Sequence, residues 1–84
     1  MPLEATTIYQ AIEVKYLTPT NTLGSRWKAS AFAGSVTVGF DYALSTEENA
    51  LAAARALVDK LEWNAATLHG GKLKTGNYVF VIGE

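Results

Sequence analysis

Apolar and polar residues alternate along the first half of this 84-residue chain and switch to helical spacing near its middle. Between Thr6 and Leu17, Ile8, Ile12, Val14 and Tyr16 share one face with Gln10, while Tyr9, Ala11, Glu13, Lys15 and Leu17 share the other. The β-branched and aromatic content predicts a strand, with the first set facing a core. The run TPTNTLG at 18–24 breaks it, because Pro19 lacks a backbone donor and Asn21 and Gly24 tolerate positive φ. Ser25–Ala33 predicts a second strand, with Trp27, Ala29, Ala31 and Ala33 inward and Arg26, Lys28, Ser30 and Phe32 outward. Gly34-Ser35 reads as a two-residue break that closes a hairpin. Val36, Val38 and Phe40 then alternate with Thr37, Gly39 and Asp41 as a third strand. Three consecutive strands with short breaks predict an antiparallel meander.

The period changes after Ser45. Ser45-Thr46-Glu47-Glu48 matches a capping box, with Ser45 as N-cap and Glu48 answering its backbone N–H. Leu51, Ala54, Val58 and Leu61 recur at helical spacing, and five alanines between 50 and 56 favour a helix that approaches a sheet closely. A helix is predicted over residues 46–62. Beyond Trp63-Asn64, AATLH reads as a short strand or an irregular return and GGKLKTGN as a flexible turn. YVFVI at 78–82 is a strand apolar on both faces, which predicts a place in the centre of the sheet or cover on both sides. The expected fold is α+β in one domain, residues 1–84: β-β-β-α-β, with room for one extra short strand, and the helix on one face of a small antiparallel sheet.

Composition narrows the function classes. Hydrophobic residues make up 49% of the chain and charged residues 18%, which excludes a wholly disordered chain. The absence of cysteine removes disulfides and thiolate metal sites. No segment has the pattern of a signal peptide or the apolar length of a membrane span, so the expectation is a cytoplasmic protein without membrane contact. Net charge is −1, against a generic polyanion binder. The charges are unevenly placed, however. Glu47, Glu48, Asp59 and Glu62 gather in the helical segment, while Lys15, Arg26, Lys28, Lys72 and Lys74 lie outside it.

Enzymatic constellations are missing. His69 is the sole histidine, set beside Gly70-Gly71 in an expected turn, so a Cys–His pair is impossible and a Ser–His–acid triad has one place to form. The acids do not cluster at ligand spacing, and the glycines match no phosphate-binding loop, so no metal or cofactor is expected. What packing leaves unexplained is the stretch Lys15–Lys28 and the open face of the sheet. Lys15, Arg26 and Lys28, with Thr18, Thr20, Asn21 and Ser25 nearby, offer cations, hydroxyls and an amide. With Tyr9 and Phe32 on the same face, cations would meet phosphates and rings would stack bases of a nucleic-acid strand. The same face also suits solvent alone, and Phe32 and Tyr9 suit the centre of a protein interface or a homodimer contact.

KYLTPTNTLGSRWKA at 15–29, with GSVTV at 34–38, resembles a group of small uncharacterised proteins of bacteriophages, plasmids and integrative elements. Their pattern is roughly K-Y-x-x-P-T-N-x-x-G-S-R-x-K-A. The likeness extends through Asp41–Leu44, the alanine-rich helix and Gly76–Val81. It implies a mobile-element setting in a bacterial cell and no particular chemistry. The expectation is a non-enzymatic binding protein that contacts nucleic acid, or else a modulator of a host or defence protein or a self-associating structural protein.

Overall fold

The computed structural model describes residues 11–63 and 67–83. Its elements are β1 (Ala11–Leu17), β2 (Arg26–Ala31), β3 (Gly34–Gly39), α1 (Thr46–Lys60), β4 (Thr67–Lys72) and β5 (Tyr78–Gly83). The five strands form one sheet in the order β3-β2-β1-β5-β4, and every neighbouring pair is antiparallel. The fold is therefore the expected α+β arrangement, with the extra strand present as β4. The part of the first strand expected before Ala11, including Tyr9, lies outside the described residues.

Alternation sets the two faces. Ile12 and Val14 of β1, Trp27 and Ala29 of β2 and Phe80 of β5 are buried under α1, with Val36 and Val38 of β3 packed at the margin. Full burial of side chains such as Ile12, Val14 and Leu57 contributes about 1.5–3 kcal/mol each. The most deeply buried stripe of α1 is Ala50, Ala53, Ala54 and Leu57, while Leu51, Val58 and Leu61 flank it. Small residues thus form the contact line, which brings the helix axis close to the sheet.

Both ends of α1 are capped. Glu48 N donates to Ser45 Oγ at 3.1 Å and Ser45 N donates to Glu48 Oε1 at 3.0 Å, the reciprocal capping box. The helix ends at Lys60, earlier than the expected 62. There Trp63 N donates to Val58 O at 3.0 Å and Glu62 N to Asp59 O at 3.2 Å, while Glu62 takes φ 56°. This is a Schellman termination with glutamate where glycine is usual, so no glycine marks the stop.

Two other expectations shift. The β2–β3 hairpin turns at Phe32-Ala33, and Gly34-Ser35 open β3. The register pairs Trp27 with Val38 and Ala29 with Val36, seating both valines beside the buried residues of β2. Side-chain pairing, and not the local glycine, fixes where the turn falls. Similarly, Gly70, Gly71 and Lys72 belong to β4, and the turn is confined to Leu73–Asn77, where Gly76 takes φ 96°.

Asn49, one turn into α1, is buried among these apolar groups. Its Nδ2 donates to the carbonyls of Asp41 (2.9 Å), Ser45 (3.0 Å) and Leu44 (3.3 Å), and its Oδ1 accepts from Asp41 N at 2.8 Å. One side chain thereby holds the β3–α1 connection against the helix.

Candidate functional site

The face of the sheet opposite α1 carries no helix. In the register Lys15 stands directly opposite Lys28, and Lys28 directly opposite Thr37, so the three form a row across β1, β2 and β3. All three are exposed. Directly opposed residues on one face hold their Cβ atoms about 5 Å apart, and like charges there are destabilising. Glu13, two places from Lys15 on the same face, accepts a 2.8 Å hydrogen bond at Oε2 from Asn77 Nδ2. Among the described residues neither lysine ammonium has a hydrogen-bond or ion-pair partner. Backbone pairing thus holds two cations side by side, and among the described residues no carboxylate forms an ion pair with either.

The other expected residues divide between this row and the fold. Arg26, one row further along β2 and paired with Leu17 and Gly39, is half-buried. Its Nε donates to Gly24 O at 3.1 Å and its Nη2 to Thr18 O at 3.5 Å, so the guanidinium braces the 18–25 loop. A guanidinium has five N–H donors, and the remainder have no partner among the described residues. Thr20 Oγ1 accepts from Leu23 N (3.0 Å) and Thr22 N (3.4 Å), closing a local turn. Ser25 Oγ accepts from Tyr16 OH at 2.9 Å. Thr20 and Ser25 therefore have structural work, whereas the side chains of Thr18 and Asn21 are exposed at the same end as Lys15 and Lys28.

Phe32 does not join them. It occupies the β2–β3 turn, fully exposed, at the opposite end of β2 from the loop. It lies four positions along the chain from Lys28, about 13 Å at strand rise. Tyr9 lies outside the described residues. No aromatic ring of a described residue accompanies the lysine row. Tyr16, Trp27, Phe40 and Tyr78 instead form a cluster on the helix side, with Tyr16 edge-on to Trp27 at 5.3 Å between centroids. Trp27 Nε1 is buried there without an acceptor among the described residues.

His69 stands in β4 opposite Val81 on the open face, not in a turn, and it is exposed. Among the described residues no three His, Cys, Asp or Glu side chains converge as a metal site, and no helix is long and apolar enough to cross a membrane.

Sequence reasoning missed two things. Asn49 belongs to no motif of the chain; the signal for its role is its position on the buried side of the Ala50–Ala53–Leu57 stripe. The space between β4 and α1, lined by Gly70, Gly71, Tyr78 and Phe80, is hidden in the sequence because Gly70-Gly71 reads as a turn. Compared with protein-family models, curated proteins and solved structures, the chain matches none.

Proposed function

We propose that this chain is a non-enzymatic binding protein of a mobile genetic element, working in the bacterial cytoplasm, and that it grips the phosphate backbone of a nucleic-acid strand on the open face of its sheet. The observation that carries this reading is the opposed Lys15–Lys28 pair, which costs stability in the free protein and is relieved by an anion. Arg26, Thr18 and Asn21 border the pair and extend the row of donors toward the loop. With no ring of a described residue beside the lysines, contact is to phosphates, and base identity is read weakly or not at all.

The test is an anisotropy titration of labelled single- and double-stranded oligonucleotides at several salt concentrations. Two or three phosphate contacts give a log–log slope of about −2. Lys15→Ala and Lys28→Ala each weaken binding, as does Arg26→Ala. Absence of binding to DNA and RNA of either form at low salt refutes the reading.

The exposed Phe32 at a hairpin tip supports a second reading, contact with a host protein, because a bare aromatic is a common interface anchor. Phe32→Asp then abolishes co-purification with a host factor in nuclease-treated lysate, and retained co-purification removes that surface from consideration.

A further inference from the structure

The helix side of the sheet is not fully covered. α1 packs across β1, β2 and β3 and meets only part of β5, leaving β4 largely exposed. Between the first two turns of α1 and the β4–β5 hairpin runs a trough of about 450 Å³. Its floor is Tyr78 and Phe80, its helix wall is Glu47, Glu48 and Leu51, and its outer rim is β4 at Gly70, Gly71 and Lys72. The Phe80 ring lies across Gly70 so closely that an added Cβ would sit 2.7 Å from Cε1. Gly71 has open space where its side chain would be.

The rim is also a free sheet edge. β4 is the outermost strand, with no strand on its far side among the described residues. Edge strands are ordinarily blunted by charged side chains, proline or bulges. The opposite edge has such cover, since Lys60 Nζ reaches from α1 to Ser35 O of β3 at 2.7 Å. β4 instead presents two glycines, and Lys72 turns its ammonium over the Tyr78 ring, 5.5 Å from the centroid. Unpaired backbone groups therefore border an apolar trough whose helix wall is acidic. Glu48 is committed to the capping box, whereas Glu47 has no hydrogen-bond or ion-pair partner among the described residues.

We propose that the trough and the β4 edge form one peptide site, in which an extended segment of another protein pairs with β4 as a sixth strand. Alternate side chains of that segment enter the trough: a large apolar one rests on Phe80 and Tyr78, and a lysine or arginine two residues along reaches Glu47. Main-chain pairing supplies affinity and the alternate side chains supply selectivity. An extended chain spaces such side chains about 6.6 Å apart, so both fit one trough. A second copy pairing β4 with β4 fits less well. On this face it offers Leu68, Gly70 and Lys72, one leucine for the whole volume. The site lies on the other side of the sheet from the lysine row and stands or falls independently of it.

The probe is a fluorescein-labelled, end-capped peptide, Thr-Phe-Thr-Lys-Thr-Phe-Thr, compared with a form carrying Glu in place of Lys. Two further forms are N-methylated at alternate residues, one for each edge of the strand. The lysine peptide binds about tenfold more tightly than the glutamate peptide. Glu47→Lys reverses that order, Glu47→Gln removes it, and one of the two N-methylated forms loses binding. Amide shift changes in the protein fall on β4, Tyr78 and Phe80. The proposal is overturned if no peptide binds at about 1 mM, a level that detects even very weak sites. It is equally overturned if both N-methylated forms bind like the parent, if Glu47→Lys leaves the preference unchanged, or if the shifts fall on Lys15 and Lys28. A concentration-dependent dimer that excludes the peptide assigns the edge to a second copy and also overturns it.

Discussion

Replacing Asn49 by alanine removes the buried side chain that ties Asp41 and Leu44 to α1. The Asp41 N–H and C=O lose partners at 2.8 and 2.9 Å, and the carbonyls of Ser45 and Leu44 lose their bonds to Nδ2. A buried polar group left unsatisfied costs about 1–3 kcal/mol. Asp41 and Ser45 are exposed residues, so water recovers part of this, and the net loss is about 2–3 kcal/mol. In a domain of this size 1 kcal/mol shifts Tm by about 4–8 °C, so Asn49→Ala lowers it by roughly 10–20 °C. Asn49→Asp keeps the acceptor for Asp41 N–H but sets a carboxylate against three carbonyls, and it destabilises as well. Thermal unfolding followed by circular dichroism measures both, and hydrogen exchange shows Asp41 N–H losing protection. A Tm within about 3 °C of the parent for Asn49→Ala, a change of under about 1 kcal/mol, refutes the assigned role.

Further outcomes follow from the same geometry. Glu62→Gly stabilises the protein by about 1 kcal/mol, because glycine takes the left-handed termination of α1 without steric cost; a loss in denaturant midpoint counts against the Schellman reading. Gly70→Ala destabilises by about 1–3 kcal/mol, since its Cβ meets the Phe80 ring, whereas Gly71→Ala, with open space around it, is close to neutral. The backbone and hydroxyl of Ser45 hold the Glu48 carboxyl below its usual range, so its contribution is present above the unfolded pKa near 4.5 and lost as pH falls through the folded value. The Tm gap between the parent and Glu48→Gln therefore holds at neutral pH and closes in acid; a gap independent of pH contradicts this.

Elements with their own period or cap were readable from the chain. Ser45 and Glu48 announce the start of α1, and Ile12, Val14, Trp27 and Ala29 declare their buried face by alternation alone. What failed rests on long-range packing. The β2–β3 turn was assigned to Gly34-Ser35 because glycine is a strong local signal, yet Val36 and Val38 settle opposite Ala29 and Trp27 and move the turn to Phe32-Ala33. Gly70-Gly71 looked like a turn for the same reason, but their lack of side chains is used by the Phe80 ring within the sheet. At the open face, sequence reasoning placed Lys15 and Lys28 together correctly, because parity and the meander determine it. It grouped Phe32 with them by parity too, but a residue in a turn has left the strand's alternation. Nor did pattern reveal that Arg26, Thr20 and Ser25 spend donors and acceptors on the 18–25 loop, since those bonds depend on how the loop folds back.

The central claim, that the opposed lysines are kept for an anion, is tested most directly by Lys28→Glu, with stability and binding measured on the same sample. The substitution puts an opposite charge across from Lys15, which adds about 0.2–1 kcal/mol of stability. It also removes a phosphate contact and introduces repulsion. The account predicts a Tm equal to or above that of the parent, together with loss of oligonucleotide binding at low salt. Unchanged oligonucleotide affinity in a folded Lys28→Glu protein would contradict it.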